Sequence, residues 1–387
     1  MLIKKSLLMN KTETETKGNR IEILDSYRFI AILSVMLYHY YSRWTTPINN
    51  VTLYPYGSAF NHFSYGWLGV EFFFIISGFV IALTLTKTND FFEFWKKRLI
   101  RLLPSMFICS AVTFVVFNLI DTKMLFPASH SFKNFLYSIT LLSPEVLNKL
   151  FLLKIHGNYI NWSYWSLWPE IQFYFIASCV YFSNRKNFVF NFAVFSIILC
   201  IVDYILLTFI MNVHAVNLLN LKVNESVVQK YFRLKDTFNY VGFSLYFVMG
   251  VLFFQIYSKE KKLMSAILML LSILLLLFMN DGFNIHQLLP IHSIFIMVLL
   301  FVGFTYYSKQ LNFISIKPIM NIGVASYTLY LIHEVIGVLL INKYASIFGK
   351  YDFLFPILVI LLMIGFALLS FKYIEKPIGT YLKKKLI

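Results

Sequence analysis

His39 follows Arg28 by eleven positions, and the residues between, Phe29 to Tyr38, are apolar apart from Ser34 and the phenol of Tyr38. At 100° per helical residue, eleven steps return to about 20° from the start, so the two side chains share one face, roughly 16 Å apart along the axis. Arginine is a permanent cation with a planar fork of donors suited to carboxylates and phosphates, and histidine exchanges a proton near neutral pH. A charge at mid-bilayer costs roughly 2.5–3.5 kcal/mol on insertion scales, so such a pair points to a site. The alternative is that Arg28 snorkels to the headgroups while His39 makes a polar contact between helices.

Five more ionisable positions interrupt apolar runs: Glu71, Glu170, Asp203, His333 and Glu334. Counted from the ends of their runs, all fall near the depth of His39, about 20 Å above the inner face of the hydrocarbon. A shared polar cavity is the expectation, and separate interhelical hydrogen bonds are the alternative. A second cluster, Trp95-Lys96-Lys97-Arg98-Leu99-Ile100-Arg101, sets Arg98 and Arg101 three residues apart, adjacent on a helix surface. Two guanidiniums so placed can clamp phosphates through bidentate bonds, or can simply anchor the chain at the inner headgroups.

The elements that position these residues are membrane helices. The chain is 59% hydrophobic and only 13% charged, against about a quarter charged for soluble domains. Its net charge of +16 does not indicate nucleic acid, because the charges sit in short clusters between apolar runs. About 20 apolar residues cross the hydrocarbon. Ten stretches qualify: 27–44, 66–86, 99–120, 165–183, 188–211, 239–258, 263–280, 286–307, 320–342 and 353–373. The run at 132–143 is too short and is expected in an outside loop. With both termini inside, 23 of the 34 basic residues fall on the cytoplasmic side and 11 on the other, as the positive-inside rule requires. The segment 212–238, with Lys222, Lys230, Arg233 and Lys235, runs against that bias. The expected architecture is an all-α polytopic bundle: a cytoplasmic tail (1–24), one transmembrane domain (25–378) and a basic cytoplasmic tail (379–387). Cys109, Cys179 and Cys200 lie within apolar runs and read as packing residues, not as a disulfide framework or a metal site. The polar, basic N-terminus has no cleavable-signal pattern, so the first span is expected to target the chain. No internal repeat is visible.

Six segments in order resemble the acyltransferase-3 family of bacterial membrane acyltransferases. They are Leu24-Asp25-Ser26-Tyr27-Arg28 continuing to Tyr38-His39; Gly66-Trp67-Leu68-Gly69-Val70-Glu71 through Gly78-Phe79; the Arg98 and Arg101 pair; Trp162-Ser163-Tyr164-Trp165-Ser166-Leu167-Trp168-Pro169-Glu170 through Phe173-Tyr174; Ala325-Ser326-Tyr327 through Tyr330 to His333; and Glu375-Lys376-Pro377. Together they cover about residues 22–378. Two positions depart from the family pattern: Glu71 stands where Asp is frequent, and Ile171 follows Glu170 where a second Glu or Gln is usual. Pro169 disfavours helical geometry at Trp168, so a helix beginning at Pro169 is expected.

The resemblance implies a multi-pass enzyme of the bacterial cytoplasmic (inner) membrane. It would move an acyl group, usually acetyl, from acetyl-CoA to a carbohydrate hydroxyl, with no tightly bound cofactor and no metal. Arg28, Arg98 and Arg101 would hold the donor phosphates. His39 would act as general base or as a transient acyl carrier, and the two routes stay open. Glu170 or Glu71 would orient His39 or bind the sugar, and His333 or Ser326 would meet the thioester oxygen or the acceptor, with Tyr330 in the same polar layer. The acceptor stays open among lipopolysaccharide, exopolysaccharide, peptidoglycan, lipid-linked sugars and glycosylated metabolites. The aromatic residues Tyr159, Trp162, Tyr164 and Trp165 either stack on sugars or anchor at the interface. The rival from another class is a transporter or flippase of a glycan or lipid-linked intermediate, since intramembrane charges mark such pathways too. Against it, no inverted repeat with interrupted helices is visible. A partner-binding membrane subunit is a third class, which a buried ionisable layer disfavours.

Overall fold

The structure, a computed structural model, describes residues 21–43, 53, 54, 56, 61–150, 156–211, 225–283 and 291–387. Among the described residues there is no strand. Helix α1 (Glu22–Leu37) runs on into a π turn (Tyr38–Ser42), followed by α2 (Gly69–Leu85) and α3 (Phe91–Ile120). Two short helices, α4 (Phe132–Ser138) and α5 (Pro144–Leu150), precede α6 (Leu167–Ser183) and α7 (Phe188–Met211). Then come α8 (Glu225–Thr237), α9 (Ser244–Tyr257), α10 (Lys262–Phe283) and α11 (Ile291–Tyr307). The chain closes with α12 (Lys317–Val324), α13 (Ser326–Tyr344), α14 (Phe355–Ser370) and α15 (Lys376–Leu386).

Six helical runs among the described residues are long and apolar enough to cross a membrane, and a shorter apolar helix covers His292–Tyr307. The longest run, Ser326–Leu386, contains both α13 and α14. These two helices pack on each other, so the chain turns back between them, where Gly349 takes a φ of +53°. The protein is therefore a multi-pass membrane chain.

The buried share of each run tells which helices are central. The most apolar windows around α2 and α9 are 72% and 78% buried, whereas those of α3, α7, α10 and the C-terminal run lie between 22% and 39% and present apolar faces to lipid. Between α2 and α9 the backbones touch: a Cβ added to Gly250 would stand 2.0 Å from the Ile75 carbonyl oxygen, and one added to Gly78 would stand 2.3 Å from that of Phe247. Small residues permit this approach where the hydrophobic effect cannot drive helices together in lipid. Phe173 of α6 stacks on Phe247 of α9 at 4.2 Å, tying a third helix to the pair. Helix α1 packs along α2, α12 and α13.

Helix α3 begins on a reciprocal cap: the Asp90 side chain accepts from Glu93 N (2.9 Å) and Glu93 accepts from Asn89 N (2.8 Å). Its helix continues through Pro104 for 30 residues. Glu375, from the Glu-Lys-Pro segment, accepts hydrogen bonds from Ser105 (2.6 Å), Thr328 (2.6 Å) and Ser370 (3.0 Å), fastening α3, α13 and α14 together.

Three local expectations change. The first helix starts at Glu22, before residue 27, and ends in the π turn. Helix α6 starts at Leu167, two residues before Pro169, because a proline in the first turn loses an N–H that would be unpaired anyway. The basic segment after α7 is not simply a loop: residues 225–237 form the amphipathic helix α8, while Lys222 lies outside the described residues.

Candidate active site

Two clusters of polar residues inside the bundle meet on α13. The first lines a narrow cavity with about 80 Å3 of room for water. Arg28 of α1, Ser77 of α2, Arg98 and Arg101 of α3, Ser166 and Glu170 at the start of α6, and Ser326, Tyr327 and Tyr330 of α13 border it. Arg28 sits near the start of α1 and the two other arginines near the start of α3, close to the end of α2, so all three belong to one end of the bundle. The Arg28 guanidinium donates to Asp25 at 2.7 Å. Arg98 is only 7% exposed; its Nη2 donates to Thr84 at 2.7 Å, its guanidinium lies over the rings of Phe94 and Tyr174, and its buried Nε–H has no acceptor among the described residues. A buried cation with an unspent donor, bordering open space, suits an anionic group. Arg101 is exposed at the cavity edge.

Deeper in the cavity, Glu170 Oε1 accepts from Ser77 (2.6 Å) and Tyr174 (2.6 Å), which hold its carboxylate in one orientation. Ser166 and Tyr330 share a hydroxyl–hydroxyl bond of 2.7 Å, and the Tyr330 hydroxyl also donates to the Ser163 carbonyl at 2.9 Å. Ser326 borders the cavity and is buried.

The second cluster lies at the other end of α1, around the π turn. Glu334, 1% exposed, accepts from the Arg43 guanidinium and from the Tyr54 hydroxyl (3.1 Å). Arg43 also contacts His39 Nδ1 at 3.1 Å, and that same nitrogen stands 3.5 Å from Glu334 Oε1. Burial, and then the Glu334 carboxylate, push the Tyr54 phenol far above its ordinary range, so it stays a donor. The rings of His39 and His333 are 5.2 Å apart, edge to face. His333 is completely buried and its Nδ1 lies 2.7 Å from the Tyr330 carbonyl oxygen. A carbonyl can only accept, so Nδ1 carries the proton and the neutral ring keeps its lone pair on Nε2. That Nε2 has no partner among the described residues.

Arg28 and His39 stand at opposite ends of the helix, roughly 16 Å apart along its axis, so Arg28 lines the cavity while His39, in the π turn, joins Glu334. Tyr330 joins the two clusters: its side chain borders the cavity, and its carbonyl and ring meet His333, with the rings 5.4 Å apart. Glu71 is buried on the first turn of α2 with Oε2 unpartnered among the described residues; it neither borders the cavity nor bonds to the histidines. Asp203 leaves the expected polar layer altogether, accepting from Tyr231 (2.7 Å) and Lys235 (3.0 Å) of α8. Arg43 and Tyr54 were not among the candidates from sequence: Arg43 ends an apolar run, where it reads as a headgroup anchor, and Tyr54 lies in a polar segment.

A helical bundle with this pair of clusters fits a membrane acyltransferase, and comparison with known proteins agrees. The family model described as an acyltransferase domain matches residues 21–373, so the chain belongs to that family. O-acetyltransferase OatA of Staphylococcus aureus (strain NCTC 8325) is 27% identical over 398 residues, covering 92% of this chain and 56% of that protein. A second relative from Staphylococcus aureus (strain COL), provisionally named an O-acetyltransferase, is 24% identical over 409 residues, covering 95% of this chain and 59% of its own length. The chain thus spans little more than half the length of these relatives. No solved structure matches it.

Proposed function

We propose that the chain is a multi-pass O-acetyltransferase of the bacterial inner membrane, transferring acetyl from acetyl-CoA to a hydroxyl of a carbohydrate or glycoconjugate. One observation carries this reading: the buried Arg98, with an unspent N–H, borders a cavity that leads from the arginine end of the bundle to Glu170 and to Tyr330 beneath His333. Ten crossings with both termini cytoplasmic put Arg28, Arg98 and Arg101 on the side where acetyl-CoA is found. This topology is supported by the basic-residue bias and by the turn at Gly349 within the last helical run.

In direct transfer, the acceptor hydroxyl gives its proton to an imidazole lone pair as its oxygen attacks the thioester carbonyl carbon; the C–S bond breaks and the CoA thiolate leaves with a proton. His333 Nε2, next to the cavity-lining Tyr330, supplies a lone pair once the cavity extends to it, and a lone pair suits the acceptor hydroxyl and not the thioester oxygen. The Arg43 guanidinium can only donate to His39 Nδ1, so His39 becomes a base or acetyl carrier at Nε2 once that contact is exchanged for one in which Nδ1–H donates to Glu334, 3.5 Å away. Glu170 binds the acceptor or orients the reacting groups.

The test uses the full chain purified in nanodiscs with radiolabelled acetyl-CoA and bacterial envelope glycan. An acetyltransferase releases CoA and labels the glycan, whereas a flippase leaves the donor intact. Absence of donor consumption under every acceptor condition would refute the reading.

A further inference from the structure

A second opening lies at the end of the bundle where α3 finishes and α6 begins, away from the three arginines. It has about 430 Å3 of room for water and is bordered by Tyr159, Trp165, Trp168, Glu145, Asp236 and Asn239. These residues come from three separate parts of the chain: α5, the segment leading into α6, and the junction of α8 with the turn before α9. Trp168 is pinned, its indole N–H donating to the Thr237 carbonyl at 2.7 Å, and Gln172 donates to the same oxygen at 2.7 Å. Trp165 rests on Phe243 with ring centroids 5.4 Å apart and remains 39% exposed, so its other surface is open. Asn239 Oδ1 is buried with no hydrogen-bond partner among the described residues.

Charge narrows the occupant. Glu145 and Asp236 face the groove together, and burial followed by the neighbouring Asp236 charge raises the Glu145 carboxyl above its ordinary range. Lys235, on the rim, is committed to Asp203 at 3.0 Å, and Lys149, which bonds to Thr237, offsets part of the Glu145 charge. Flat aromatic surfaces beside acceptor oxygens match the alternating C–H faces and hydroxyls of a sugar ring, and paired carboxylates repel an anionic one.

The groove also abuts the cavity of the arginines. Along one short segment the residues alternate between the two: Trp165 and Trp168 border the groove, while Ser166, Leu167 and Glu170 border the cavity. The two spaces are thus separated by the thickness of a single helical start.

We propose that this groove binds the carbohydrate acceptor, and that it takes neutral or amino sugars and rejects uronic or phosphorylated ones. The proposal rests on the acetyltransferase reading for the word acceptor, but the binding itself is measured without any donor. Isothermal titration calorimetry of the full chain in nanodiscs is run with three probes: cellotetraose, a chitosan tetramer and a tetragalacturonate. Binding of either of the first two, with none of the third, is expected. Trp165→Ala should weaken it about tenfold, and Asp236→Asn, an exposed change that leaves the fold alone, should weaken it severalfold and admit tetragalacturonate. Equal binding of tetragalacturonate by the unaltered chain overturns the charge assignment. No binding of any probe, or Trp165 quenched by brominated lipid and unaffected by saccharide, overturns the groove as a carbohydrate site and leaves donor consumption as a separate question.

Discussion

The arginine cavity and the histidine cluster use similar residues to opposite ends. Around Glu334, one buried carboxylate is shared by Arg43, Tyr54 and His39. Around Arg98, a cation is given one hydroxyl and two aromatic faces, and its Nε–H is left over beside open space. A closed ion network holds geometry; an under-satisfied cation awaits a ligand. Removing a partner from the first should cost folding stability, and removing the cation from the second should cost donor affinity.

The largest effect is expected at the histidines. His39→Ala should lower turnover by about 10^2–10^4-fold with expression unchanged, and His333→Ala should do so comparably; if either variant kept normal turnover in purified form, its role in proton or acyl transfer would be gone. Next, Arg43→Met should destabilise the fold by roughly 3–5 kcal/mol, because the buried Glu334 loses its arginine and is left with only Tyr54 and His39. Pairing it with Glu334→Leu should restore most of that loss, read as the thermal midpoint in detergent. Arg98→Gln should behave differently, raising the KM for acetyl-CoA about tenfold with little change in thermal midpoint. Equal stability losses at Arg43 and Arg98 would erase the distinction between the two regions. The smallest effect belongs to Ser77→Ala, which removes one of two hydrogen bonds to Glu170 and should reduce kcat/KM severalfold, equivalent to about 1 kcal/mol.

Much of the cavity was legible before any coordinates, because lipid makes charge conspicuous. Arg28 and Glu170 interrupt apolar runs, Arg98 and Arg101 stand three apart in a basic cluster at the head of one, and the structure brings all four to one cavity. Depth along a helix is readable from counting, whereas azimuth is not: Asp203 lies at a plausible depth but turns toward Lys235 and Tyr231 of α8, a helix whose sequence reads as a charged loop. The second cluster needed partners 291 residues apart in sequence, Arg43 and Glu334, and no local pattern announces such a pair. Arg43 in particular is indistinguishable by type and position from an ordinary anchor at a membrane surface. The groove of Trp165 and Trp168 was half visible as an aromatic segment; the carboxylates that give it a charge come from Glu145 and Asp236, which only the packing of α5 and α8 unites.

The π turn at Tyr38–Ser42 also makes this part of the chain sensitive to length in a way the rest of α1 is not. A π bulge is equivalent to one inserted residue in an otherwise regular helix. Deleting one residue from 39 to 42 would leave hydropathy nearly unchanged and let the turn close as regular α-helix, with the Arg43 amide still reaching the Tyr38 carbonyl. Arg28 and Arg43 would keep their places, while the side chains between them, His39 among them, would be redistributed around the helix. Across related chains, this stretch should therefore hold its length, and position 39 its residue type.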